Sequence, residues 1–163
     1  MPLIIDSSNI NKYLKNTAPY IFVDYAEVVP GVSAKGIKLF THNEWFFKCH
    51  YTDRPVVPEI FLVETLTQTA SLAVASSFES QALSFYMRNF KDFSFFKNVE
   101  PGNYLNIQTE ILSNRRGLVK IQGEASVFSF KTNKNELACQ GSFQIIVPEL
   151  INAFLPVEKE KLP

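Results

Sequence analysis

The chain has 163 residues, enough for one domain with a sizeable core and too few for two such domains. Sixteen lysine and arginine residues balance sixteen aspartate and glutamate residues, so composition gives no sign of a basic surface that would bind nucleic acid or an anionic membrane. The N-terminus lacks a secretion-signal pattern, and no apolar run reaches the roughly 18–20 residues that span a bilayer. We therefore expect a cytoplasmic protein with two reduced cysteines and with no nucleic-acid or membrane partner.

The first quarter of the chain predicts a short helix and two strands. A serine at position 7 or 8 is a candidate cap for a helix through Leu14. Aromatic and β-branched residues predict a strand over residues 20–29, a Pro-Gly turn after it, and a second strand over 33–41. In the second strand, alternate residues share one face: Ala34, Gly36, Lys38 and Phe40.

The middle of the chain predicts one long helix over residues 58–78. Pro58 suits its first turn, where the N–H that proline lacks would have no partner. Between Ile60 and Phe78 the only charged residue is Glu64. A helix without a polar face is a buried helix.

The remainder of the chain predicts strands separated by turn-rich segments. The predicted strands cover residues 81–89, 91–96, 104–112, 118–130 and 136–147. One long buried helix followed by antiparallel strands indicates an α+β fold, in which the sheet wraps around the helix. We expect a single domain over residues 1–163, with its core at about 9–147 and a tail from 148 onward.

Two residues carry the prediction of chemistry. His50 lies in a turn bounded by proline, and Glu64 lies in the apolar helix 14 residues later. Burial of an ionisable carboxyl raises its pKa, which brings proton donation closer to neutral pH. An imidazole and such a carboxyl together can act as a base and an acid. Each also has a structural interpretation, as a loop histidine bonded to a carbonyl or as a carboxylate in a buried ion pair.

Several segments resemble the FabZ-type β-hydroxyacyl-[acyl carrier protein] dehydratases, which have the hot-dog fold. The family pattern G-H-F-P-x-x-P-V-M-P-G-V-L-x-x-E-A-x-A-Q aligns without a gap with residues 49–68, C-H-Y-T-D-R-P-V-V-P-E-I-F-L-V-E-T-L-T-Q. The family's T-x-N-E-x-F-F corresponds to T-H-N-E-W-F-F at 41–47, and its V-x-P-G-D-x-L to V-E-P-G-N-Y-L at 99–105. The resemblance covers about residues 9–147.

The resemblance implies a role for each site residue. His50 would remove the α-proton of a 3-hydroxyacyl thioester, and Glu64 would protonate the departing hydroxyl to give the trans-2-enoyl thioester. The substrate would contact the backbone N–H of Glu59 together with Ile60, Gln68 and Tyr51. The resemblance also implies an acyl carrier protein as partner, a homodimer or trimer of dimers with the site at the dimer interface, and neither metal nor organic cofactor.

Two departures from the family pattern keep alternatives open. Cys49 and Glu59 stand where the family has glycine, and the Glu59 side chain would bring a negative charge close to the thioester carbonyl. One alternative is a hot-dog thioesterase that uses Glu64 to activate water. The other is a catalytically silent homologue that binds acyl chains or acts as a scaffold. The dehydratase–isomerase branch fits less well, because it has aspartate at the position of Glu64.

Overall fold

The computed structural model describes residues 1–78 and 82–153. Within these residues, seven antiparallel strands form one sheet in the order β1-β2-β3-β5-β6-β7-β4. The strands are β1 (Leu3–Asp6), β2 (Tyr25–Val29), β3 (Ser33–Leu39), β4 (Tyr86–Phe95), β5 (Tyr104–Arg115), β6 (Leu118–Ser129) and β7 (Lys134–Ile146). The helices are α1 (Glu59–Ala75) and α2 (Pro148–Asn152). The α+β prediction, with a sheet around one long helix, is confirmed.

Helix α1 is the centre of the core. Thirteen of its 17 residues are buried, from Leu62 to Ala75 with Glu64 excepted. Two glycines of the sheet allow this close packing. A Cβ at Gly36 would lie 2.8 Å from Thr69 Oγ1, and one at Gly123 would lie 3.0 Å from a methyl group of Leu66.

Helix α1 ends three residues earlier than the sequence predicts. Ser76 and Ser77 follow it, and their hydroxyls donate to the carbonyls of Ala73 and Val74. Serine has a lower helix propensity than alanine, and these two serines follow directly on the last alanine of the helix. The helical prediction is confirmed for residues 59–75; Pro58 is the N-cap and not the first helical residue, and the extension to 78 is wrong.

The predicted strands occur with changed boundaries. Residues 20–24 are not part of a strand, and β2 begins only at Tyr25. Strand β5 is longer than predicted and continues to Arg115, so the turn between β5 and β6 consists of residues 116 and 117. The two strands predicted over 81–89 and 91–96 are one strand, β4, which has register shifts between Met87 and Asn89 and between Lys91 and Ser94. Residue 81 lies outside the described residues.

Both ends of the predicted core need correction. Residues 3–6 form strand β1, and Ile5 is buried, so the core begins before residue 9. The helix predicted to run through Leu14 is reduced to one 3₁₀ turn, Ile10–Lys12. The side chains of Asp6 and Asn9 close the turn before it, and this local bonding competes with a longer helix. Asp6 Oδ1 accepts from the Ser8 N–H, and Asn9 Oδ1 accepts from the Asp6 N–H.

The predicted tail also begins with structure. Residues 148–152 form α2, and the Glu149 carboxylate accepts from Lys15 Nζ at 2.7 Å and from the Ser84 N–H at 3.0 Å. Burial opposes ionisation of Glu149, but its hydrogen bonds outweigh that effect and lower its pKa to about 2. The charged run at 158–161, predicted as a solvated tail, lies outside the described residues. Among the described residues no helix is long and apolar enough to cross a membrane.

Strand β4 lies at one edge of the sheet and presents large apolar side chains to solvent. It pairs with β7 on one side, and the described part of the chain offers no strand on the other. Tyr86 is 60% exposed, Phe90 56% and Phe95 44%. A long edge strand with exposed aromatic residues is a ready site for pairing with another chain.

Candidate active site

The loop that carries His50 is held by backbone hydrogen bonds. It follows a 3₁₀ turn, Trp45–Lys48, and the carbonyl of Phe46 accepts from the His50 N–H at 2.9 Å. On its far side the Val56 N–H donates to the His50 carbonyl at 3.4 Å, and the His50–Tyr51 peptide bond is cis. The two hydrogen bonds hold the backbone of His50 in the loop that precedes α1.

The neighbours of His50 determine which ring nitrogen carries the proton. Nδ1 lies 3.3 Å from the carbonyl oxygen of Val56. A carbonyl oxygen can only accept, so in the neutral imidazole Nδ1 carries the hydrogen and Nε2 keeps its lone pair. The arrangement therefore leaves Nε2 as the nitrogen that can take a proton.

Glu64 is half-buried on α1 and is bonded to the residue one turn later. Gln68 Nε2 donates to Glu64 Oε1 at 2.8 Å. Burial raises the pKa of Glu64, and the Gln68 hydrogen bond opposes that rise only in part. The direction of the shift is the one predicted for a carboxyl that donates a proton.

Gln68 is itself fixed by the segment that precedes β2. Its Oε1 accepts from the Phe22 N–H at 2.8 Å, and its Nε2 also donates to the Tyr20 carbonyl at 3.1 Å. Gln68 is buried, so it has only a small choice of conformations once these bonds form. Burial, followed by the charge of Glu64, raises the pKa of Tyr20. The segment 20–22 thus supports Glu64, a role that the sequence analysis missed.

The first turn of α1 is open to ligands. Glu59 and Ile60 are both exposed, and Ile60 keeps 58% of its surface accessible. N–H groups at a helix start have no partner within the helix, and the helix dipole makes that end attractive to negative charge. Glu59 also lines a cleft of about 160 Å³, whose other residues are Val57, Leu62, Phe95, Phe96, Lys97 and Asn98.

An aromatic wall covers the side of α1 next to Glu64. Phe61 stacks on Phe22 with ring centroids 4.8 Å apart, and it contacts Phe46 at 4.9 Å. Trp45 and Tyr20 extend the wall at 5.5 and 6.5 Å from Phe61, and each remains 44% exposed. This wall gives the site an apolar side next to a polar pair, the usual composition of a small-molecule site.

Within one chain the predicted site residues form two separate groups. Glu64 and Gln68 are bonded to each other, and the exposed Tyr51 ring lies 4.2 Å from the His50 ring. Among the described residues, no hydrogen bond or ion pair joins His50 to Glu64. Glu59 and Ile60 lie at the start of the helix between the two groups in sequence.

A buried ammonium group behind the site was also missed. Lys38 is on the inward face of β3, and its Nζ lies 3.1 Å from Asp24 Oδ1 and 3.7 Å from Glu44 Oε1. The predicted alternation of β3 already placed Lys38 among apolar residues. Nothing in the sequence indicated its two partners.

An antiparallel sheet wrapped around one long buried helix makes this chain a hot-dog protein. A solved structure, the dehydratase heterocomplex ApeI:P from Xenorhabdus doucetiae, shares the fold. It has a TM-score of 0.69 and 14% identity over 96% of this chain and 99% of that chain.

Sequence comparison defines the family. The model of the FabA-like domain matches residues 26–129. The 3-hydroxyacyl-[acyl-carrier-protein] dehydratase FabZ of Caldanaerobacter subterraneus subsp. tengcongensis is 36% identical over 76% of this chain and 88% of its own length. FabZ of Geotalea uraniireducens is 33% identical over 82% and 94%. The chain belongs to the FabA-like domain family, and within it resembles the FabZ dehydratases.

Proposed function

We propose that this chain dehydrates 3-hydroxyacyl-[acyl carrier protein] thioesters to trans-2-enoyl thioesters in fatty acid biosynthesis. The observation that carries the proposal is the motif at residues 49–68 within the matched family domain, with its half-buried Glu64 braced by Gln68. The relatives that bear the name FabZ dehydratase align over most of the chain. The enzyme is therefore a hydro-lyase.

In the proposed mechanism His50 is the base. Nε2 takes the α-proton, and the electrons of the broken C–H bond move toward the thioester carbonyl. The developing negative charge on the carbonyl oxygen is stabilised by N–H groups of Glu59 and Ile60 in the first turn of α1. The Val56 carbonyl stabilises the imidazolium through Nδ1–H.

Glu64 is the acid in the same reaction. It gives its proton to the 3-hydroxyl, the bond between Cβ and oxygen breaks, and water leaves as the double bond forms between Cα and Cβ. The raised pKa keeps more of Glu64 protonated at a given pH than in an exposed glutamate. Gln68 holds the carboxyl in place through an anchored amide, and Tyr51 beside His50 flanks the substrate.

The proposal includes an assembly in which two copies complete each site. Two features support it: the described residues show no hydrogen bond or ion pair between His50 and Glu64, and the aromatic edge of β4 is exposed. An edge strand that pairs with its own copy makes an isologous dimer. We propose a homodimer or a trimer of dimers, with His50 and Glu64 of each site coming from different copies.

The partner and cofactor requirements follow from this reaction. The substrate arrives on the phosphopantetheine arm of an acyl carrier protein, the carrier in the printed name of the FabZ relatives. Proton transfer by His50 and Glu64 balances the reaction without an electron acceptor, so neither metal nor organic cofactor is part of the proposal. A cytoplasmic location stays a prediction.

The test is a conversion assay with 3-hydroxybutyryl and 3-hydroxydecanoyl thioesters that follows enoyl absorbance and free thiol together. Positioned acids and bases contribute about 10²–10⁴-fold, so His50→Ala and Glu64→Gln should each lower enoyl formation by at least about 10²-fold. His42→Ala and Glu110→Gln are matched controls, because both residues are exposed and outside the site. Both controls should keep wild-type rates.

Two other outcomes would contradict the proposal. Release of free thiol without enoyl product would identify a thioesterase. A folded, assembled wild-type protein that turns over neither substrate would identify an acyl-binding or scaffolding homologue, with Cys49 and Glu59 as the changes that mark it.

A further inference from the structure

The buried ammonium of Lys38 meets two partly exposed carboxylates, those of Asp24 and Glu44, and the proposed reaction assigns the three residues no part. We call Lys38, Asp24 and Glu44 the Lys38 cluster. The Lys38 side chain is 8% exposed, and its ammonium also lies 5.8 Å from the centre of the Phe40 ring. A buried ammonium group destabilises the fold unless carboxylates pair with it. Asp24 and Glu44 supply that pairing for Lys38.

One arm of the Lys38 cluster leads to Glu64. Asp24 bonds to Lys38 through Oδ1 and accepts the Leu39 N–H at 2.7 Å through Oδ2, while its own N–H donates to the Ile37 carbonyl at 2.8 Å. Asp24 therefore fixes the end of the segment 20–24 to β3. The same segment supplies the N–H and carbonyl that anchor Gln68, the partner of Glu64.

The other arm leads to His50. Glu44 lies next to Lys38 and starts the 3₁₀ turn, where its carbonyl accepts the Phe47 N–H at 3.2 Å. Two residues after Glu44, the Phe46 carbonyl accepts the His50 N–H at 2.9 Å. A shift of Glu44 would therefore displace the Phe46 carbonyl, which accepts the hydrogen bond from the His50 N–H.

We propose that Lys38 is a positioning residue that holds the supports of Glu64 and His50 in fixed relation through its two carboxylates. The inference rests on the proposed roles of His50 and Glu64. The ammonium touches neither residue. Lys38 instead affects the positions of the His50 imidazole and the Glu64 carboxyl.

The main experiment separates positioning from stability. Lys38→Met leaves two carboxylates without their buried partner and should destabilise the protein. The triple variant Asp24→Asn/Lys38→Met/Glu44→Gln has no unpaired charge and should regain thermal stability, because no carboxylate is left without its partner. Because a displacement of 1 Å can cost about 10²-fold, kcat of the triple variant should stay about 10²-fold low, with KM little changed.

A second measurement separates the two arms of the Lys38 cluster. Glu44→Gln alone should disturb His50, slow C–H cleavage and raise the kinetic isotope effect on kcat with α-deuterated substrate. Asp24→Asn alone should disturb Glu64, slow departure of the hydroxyl and lower that isotope effect. A purely structural role would reduce the folded fraction and leave the isotope effect at its wild-type value in both variants.

The outcomes distinguish this inference from the proposed function. No dehydration by the wild-type protein would defeat the proposed function. An active wild type, combined with a stable triple variant of undiminished kcat or with unchanged isotope effects in both single variants, would overturn the role of Lys38 alone. Lys15→Met removes an exposed ion pair with Glu149 and serves as the control, with wild-type kcat expected.

Discussion

At the scale of single residues, the burial of Glu64 links activity to stability. Its pKa is raised in the folded chain, so the charged form is disfavoured there. A carboxyl with a raised pKa stabilises the fold fully below its unfolded value, near 4.5, and that contribution is lost as the pH rises through the folded pKa. The group suited to donate a proton thus destabilises the protein at higher pH.

Glu64→Gln should therefore make the protein more stable above neutrality. The amide oxygen of the new side chain can still accept from Gln68, while no charge remains to be buried. Thermal unfolding of wild type and variant should give a higher Tm for the variant above neutrality and similar Tm values below pH 4.5. Equal Tm values at all pH would show that Glu64 is not penalised by burial.

Glu59 is the second residue whose charge has consequences. Its carboxylate is at the helix start, where it favours the helix; in the proposed mechanism it also repels the enolate oxygen that binds the same N–H groups. Glu59→Gln should raise kcat/KM by about two- to fivefold, equivalent to about 0.3–1 kcal/mol, the usual strength of a charge at a helix end. Kinetics would measure the gain, and Glu110→Gln should show none. A decrease would indicate that the Glu59 carboxylate contacts the substrate favourably.

At the scale of elements, β4 should decide the assembly. Phe90→Lys places a charge in the middle of the exposed edge, which natural sheets use to prevent pairing. Loss of an aromatic anchor typically costs about 2–4 kcal/mol, or about 30- to 1,000-fold in dimer Kd. Analytical ultracentrifugation should detect dissociation, with enoyl formation lost in parallel.

The control for β4 lies on the opposite edge of the sheet. Ile4 of β1 is 42% exposed, so Ile4→Lys adds the same charge to an edge strand outside the proposed interface. Its assembly and activity should match the wild type. Dissociation by Ile4→Lys rather than Phe90→Lys would place the interface at β1.

At the scale of the whole molecule, the sequence predicts what depends on local pattern. Helix α1 could be predicted from Pro58 and from the nearly uninterrupted apolar run after it. The alternation of β3 likewise predicted that Lys38 lies on the same face of the strand as Ala34 and Gly36. Strand β1 could not be foreseen, because its four residues are strand only by pairing with residues 25–28. The anchors of Gln68 were equally hidden: they are backbone groups 46 and 48 positions away, and backbone groups leave no mark in a sequence.

Because the groups that anchor Gln68 are backbone groups of Tyr20 and Phe22, this anchoring does not depend on which side chains those two positions carry. Tyr20 and Phe22 contribute their side chains to the aromatic wall but only peptide groups to the brace of Glu64. Any amino acid except proline at 22 can supply the same N–H, and every amino acid supplies the carbonyl at 20. The exposed part of the wall at Tyr20 can therefore change, by selection or by design, to admit acyl chains of another shape while Glu64 keeps its support.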